Sequence, residues 1–204
     1  MNFNGLDWNN NGIFTAGNSL VNFSGALLQN LGGSNVTTFH ELKINKSAAA
    51  QTVTMLRNVV VDDTLSLTQG QLLMNLNSIT INNGAAVTTG GLLTPVGPIT
   101  RTNGFIISEN ANALVNWNNI DATQGYRVVP FGSEAIAAPV YVPFSFQLKG
   151  GDIGDVSIST YKAPANLPLP PGVTHLNSTT AVVNNAAATV DRFWMLSKSG
   201  PNPL

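Results

Sequence analysis

Short alternating strands punctuated by Asn and Gly constrain this chain more than any other feature. Asn22-Phe23-Ser24-Gly25, Leu42-Lys43-Ile44-Asn45-Lys46, Thr64-Leu65-Ser66-Leu67-Thr68-Gln69-Gly70 and Ile79-Thr80-Ile81-Asn82-Asn83-Gly84 vary one theme. Side chains alternate between faces along a strand, and Asn and Gly tolerate the left-handed backbone of a corner. One such turn buries little apolar area by itself. It gains a continuous core only when similar turns stack above and below it. Stacking would also let Asn residues at equivalent corners form an amide ladder along the axis.

The apolar positions give an imperfect period. The step from Leu42 to Val59 is 17 residues and that from Val59 to Ile79 is 20, near the solenoid range of about 20–30 residues. Residues 1–94 are therefore read as an Asn/Gly-rich β-repeat, parallel β-helix or solenoid in form. A β-sandwich with Asn-Gly turns is the other solution to the same pattern. Thr94-Pro95-Val96-Gly97-Pro98 is a rigid break and marks a domain boundary. Beyond it, Tyr126-Arg127-Val128-Val129, Val140 to Leu148, Val156 to Tyr161 and Val190 to Leu196 read as strands. Residues 99–204 are expected to form a compact β-sandwich-like domain or a cap on the solenoid. The fold class is all-β, because the Ala-rich runs near 111 and 135 are too short for stable helices.

Charged residues make up only 9% of the 204 residues, against about 25% in ordinary globular domains. The net charge is −1, too weak a field to compete for a phosphate backbone, so nucleic acid is excluded as a partner. With 43% hydrophobic residues the chain can bury a core. Cysteine is absent, which removes disulfides and thiolate chemistry. No run approaches the roughly 20 apolar residues of a membrane helix. No basic segment leading into an apolar run follows Met1, so no signal peptide is visible, as expected of a mature or excised segment or of a cytosolic protein; the repeats that start at Phe3 without a visible cap favour the excised segment.

Reactive constellations are scarce. His40 and His175 are the two histidines. Alternation along a strand would point His40 and Glu41 to opposite faces, and zinc needs about three or four convergent ligands, so no metal site and no cofactor is expected. Asp62-Asp63 and Asp152-x-x-Asp155 are the close acidic pairs. The second pair, among Gly150, Gly151 and Gly154, could offer carbonyls and carboxylates to calcium, but its spacing departs from the EF-hand loop. No serine sits in a nucleophile elbow and no Gly-rich stretch has the Lys and Ser/Thr of a phosphate loop. Trp8, Trp117 and Arg192 are the candidate recognition residues, as sugar platforms or a cationic contact. Each also suits core packing, with a salt bridge for Arg192. Asn22, Asn35, Asn45 and Asn177 open glycosylation-type sequons that arise readily in so Asn-rich a chain.

In their order, Trp8-Asn9-Asn10-Asn11-Gly12, Val21 to Gly25, Phe39 to Asn45, Leu65 to Gly70, Gly104 to Glu109, Tyr126 to Gly132 and Asp191 to Trp194 resemble low-charge repeats. The resemblance is to large Bacteroidetes surface proteins exported by the type IX secretion system, including gliding-motility-associated adhesins. It spans nearly the whole chain. It implies a fragment of a larger polypeptide, secreted or held at the cell surface in association with the outer membrane. Its role would be structural or adhesive and non-catalytic, with cell-surface glycans or secretion machinery as partners. Such proteins usually carry a cleaved leader and a C-terminal sorting domain, and neither is found in these residues. The alternative reading is a carbohydrate-binding module or a polysaccharide-active β-helix, which requires clustered carboxylates and exposed aromatics on one face. Ice binding would require Thr-x-Thr on every turn, and Thr52 with Thr54 is one isolated instance.

Overall fold

The computed structural model describes residues 1–85, 97–120, 125–134, 137–148, 153–163, 177–178, 181–184 and 191–200. The described residues contain β-strands and no helix. They form a β-solenoid of about three turns, so the stacked solution of the strand pattern is the one adopted.

Each coil contributes to three parallel ladders. The first runs from β1 (Asn2–Phe3) to β3 (Leu20–Gly25), the second half of β5 (Thr37–Lys46), the second half of β7 (Val59–Gln69) and β10 (Ile99–Arg101). A second joins β2 (Asp7–Asn9), β4 (Gln29–Gly32), β6 (Thr52–Met55), β8 (Gln71–Leu73) and β11 (Phe105–Ile107). The third stacks the first residues of β5 and β7 on β9 (Ile79–Ile81) and β12 (Val115–Ile120).

In-register stacking explains the alternation. Val21, Leu42, Leu65 and Ile99 are successive partners, as are Phe39, Val61, Ile81 and Trp117, and all eight are buried. Burying a Leu, Ile or Phe side chain contributes about 1.5–3 kcal/mol, and these rows supply the continuous interior that a single coil lacks. Polar side chains on strands and corners also bond to the coil before them. Asn22 Nδ2 donates to Asn2 Oδ1 (2.8 Å), Asn77 Nδ2 to the Met55 carbonyl (2.9 Å), and Gln71 Nε2 to the Ala49 carbonyl (2.8 Å). Side-chain amides thus link residues 20 to 25 positions apart, to a neighbouring amide at Asn2 and to backbone carbonyls at Met55 and Ala26, rather than as one ladder of equivalent corner asparagines.

One corner places a cation where an amide would serve. Lys46 is buried, and its Nζ donates to the Ser24 carbonyl (3.1 Å) and Gln29 Oε1 (2.5 Å). Burial lowers its pKa from the ordinary 10.5. Gly70 makes the space: its φ is +92°, and a Cβ there would lie 2.5 Å from Lys46 Cγ.

The expected boundary between 94 and 99 falls on residues mostly outside the description, but β10, β11 and β12 beyond it continue the three ladders. Antiparallel β15 (Gly154–Lys162) and β18 (Arg192–Lys198) then extend the same sheet from β12. These strands extend the solenoid sheet rather than begin a new one. β13 (Gly125–Val129) and β14 (Phe144–Leu148) form a separate antiparallel pair, and Phe144 and Phe146 pack on the core. Phe146 meets Trp117 edge to face at 6.1 Å. β16 (Asn177–Ser178) and β17 (Ala181–Asn184) make a further small pair.

Candidate functional site

The corner between the third and first ladders carries the densest chemistry among the described residues. β5 turns it at His40 and β7 turns it with Asp62 and Asp63. The register consequently shifts: Phe39 faces Val61, but Glu41 faces Thr64. This irregularity interrupts strict alternation. It brings ligand atoms of His40, Glu41 and Asp63 within 4.8 Å of one another, all three side chains half-buried. The expectation that His40 and Glu41 point apart is therefore overturned, because the strand bends at the position where alternation would have separated them. Three convergent donors exist where the sequence reading found too few.

Neighbouring coils orient this corner. Asp63 Oδ1 accepts from Asn83 Nδ2 (2.9 Å), and its Oδ2 accepts from Thr64 Oγ1 (3.2 Å). Asp62 Oδ1 accepts from Asn82 Nδ2 (2.7 Å), and Asn82 Oδ1 accepts in turn from Asn118 Nδ2 (3.1 Å). Asn119, at φ 55°, donates its backbone N–H to Asp155 Oδ1 (3.0 Å). Of the proposed calcium pair, Asp155 is thus an acceptor for the corner backbone, and Asp152 lies outside the described residues, as does His175.

The recognition candidates are dispersed. Trp117 is fully buried and donates Nε1–H to the Asn83 carbonyl (2.8 Å). Its candidacy for surface recognition is corrected by that burial, which leaves no ring face for a ligand and fits the core packing that the sequence also offered. Arg192 is also turned inward. Its guanidinium pairs with Glu109 at 2.6 Å and donates to Thr160 Oγ1 and the Ser133 carbonyl, with 6% of the side chain exposed. Trp8 is half-buried at the other end of the solenoid, packed edge to face on Phe3 (5.5 Å) and Phe14 (5.1 Å), with Nε1–H bonded to Thr37 Oγ1.

A cleft of about 370 Å³ that the sequence did not announce lies beside Gln69, Arg101, Asn103, Phe105 and Pro139. The Arg101 guanidinium lies over the rings of both Phe105 (4.6 Å) and Tyr141 (4.1 Å). Burial lowers the Arg101 pKa and raises that of Tyr141, each opposed by the partner's charge. Arg101 was hidden in the sequence because its aromatic partners come from a following strand and a distant loop.

Comparisons with family models, curated proteins and solved structures gave no match. The class that the fold defines is a parallel β-solenoid with an antiparallel extension. No described helix is long and apolar enough to cross a membrane.

Proposed function

We propose that this chain is a non-catalytic structural or adhesive segment of a secreted or cell-surface protein, of the kind exported by the type IX secretion system. The observation that carries this reading is the amide bonding between coils. Neutral amides reaching back one coil, as from Asn22 to Asn2 and Asn77 to Met55, fix the stack with almost no charge. A rod built this way presents hydrogen-bonding surface along its length and stays rigid without disulfides, which suits a spacer that displays or forms adhesive surface outside the cell.

Accessibility on intact cells tests the export part. An antibody to this chain should label unpermeabilised cells of the source organism, and externally added protease should remove the label. Label that appears only after permeabilisation would reject surface placement.

The cleft at Arg101 favours a second reading, carbohydrate binding, because amide side chains beside an aromatic ring, as at Gln69, Asn103 and Phe105, are groups that hold sugars. A glycan array separates the two. Selective binding lost in Tyr141→Ala supports recognition, and uniform background supports a scaffold.

A further inference from the structure

We propose that His40, Glu41 and Asp63 form a binding site for a divalent transition-metal ion, bridging two successive coils of the solenoid. Imidazole nitrogen and two carboxylates are a borderline-to-hard donor set. It suits Zn²⁺ and its first-row neighbours, whereas calcium takes six to eight oxygens. Ligand atoms within 4.8 Å of one another can close on a single ion with small side-chain adjustments. His40 and Glu41 come from β5 and Asp63 from β7, so the ion would join neighbouring coils across the corner.

Two further observations support the assignment. The side chains of His40 and Glu41 make no hydrogen bond or ion pair with any described residue, leaving their ligand atoms available. Asp63 is oriented by Asn83 at Oδ1 and Thr64 at Oδ2, as supporting groups hold a metal-ligating carboxylate that keeps further lone pairs for the ion. The side chains next along this corner, Asn82 and Asn83, are neutral, and no ion pair among the described residues involves Glu41 or Asp63. Half-burial leaves room for water in the remaining coordination positions, as in open three-ligand zinc sites. The site is independent of the adhesive reading above.

Calorimetric titration of the chelator-treated full chain with ZnCl₂ tests the proposal. One saturable site is expected, with Tm raised by about 3 °C or more once free Zn²⁺ is tenfold above Kd. CaCl₂ should bind at least tenfold more weakly. His40→Gln and Asp63→Asn should each weaken Zn²⁺ binding at least tenfold, and His175→Gln should leave it unchanged. Absence of a saturable site, equal affinity for Ca²⁺, or unaltered binding in His40→Gln would overturn the proposal. Should either variant fail to fold, the wild-type imidazole ¹H–¹⁵N resonances decide. Stoichiometric Zn²⁺ must shift those of His40, and unshifted signals reject the site.

Discussion

The parallel coils and the antiparallel extension of one sheet are held by different chemistry. In the coils, inward residues rest on their equivalents one turn away and several corners are closed by amides, as at Asn82 and Asp62. In the extension, β15 and β18 pair over seven positions, β15 pairs β12, and individual side chains add ties to the last coil, Arg192 to Glu109 by an ion pair and Ser159 to the Ala111 carbonyl by a hydrogen bond. Glu109 itself sits at φ 51°, a left-handed position unusual for a side chain of its kind. β18 carries Trp194, Met195 and Leu196 partly exposed, whereas the equivalent inward positions of the coils are closed to solvent. A repeated register stabilises by sharing one interior among many coils, while a strand added at the end depends on a few particular contacts.

The sharpest way to break this contrast is Phe39→Ala. Phe39 is fully buried and touches the rings of Trp8, Phe14 and Phe23. Its truncation should cost about 3–5 kcal/mol, and urea unfolding should show the loss as one cooperative shift of the coils. Glu109→Gln comes next, at about 2 kcal/mol, because it strands a buried guanidinium while the carboxylate it replaces is a quarter exposed. Hydrogen exchange should show that loss concentrated in β18, with β5 and β7 still protected. Asn82→Ala removes one amide link between neighbouring coils and should cost about 1 kcal/mol in thermal unfolding.

The smallest effect is one of pH. Lys46 has a depressed pKa in the folded chain, so the folded state binds fewer protons than the unfolded state between that value and 10.5. The stability associated with Lys46 is therefore complete above 10.5 and falls away as pH drops through the depressed value. Denaturant midpoints should rise with alkaline pH below 10, where ionisation of Tyr141 does not yet intervene, and Lys46→Met should flatten that rise.

The coil interior was legible in the sequence because its signal is local. Val59 to Ile79 is a true step from one coil to the next. The shorter step from Leu42 to Val59 compares two different ladders, since Leu42 rests on Leu65. The continuation of the coils past residue 98 was not legible. The chain inserts extra residues between Ile81 and Ile99, so Ile79 meets Val115 only after an interval that hides the period. The core packing open to Trp117 in the sequence was not tied to a row there for the same reason: it is the next member of the row that begins at Phe39. The acidic corner failed differently. Strict alternation holds within a strand and breaks where it bends, which is where His40, Glu41 and Asp63 meet. Alignment of Asp62-Asp63 with Asn82-Asn83, 20 residues on, would have marked that corner.

The central physical claim is that neighbouring coils lie parallel and in register around one apolar interior. Backbone NOEs in the labelled protein test it most directly. Parallel stacking predicts interstrand contacts between the amide and α protons flanking Lys43 and Ser66, and between those flanking Val59 and Ile79. An antiparallel pattern joining β5 to β6 or β7 to β8 as hairpins, with those contacts missing, would contradict it.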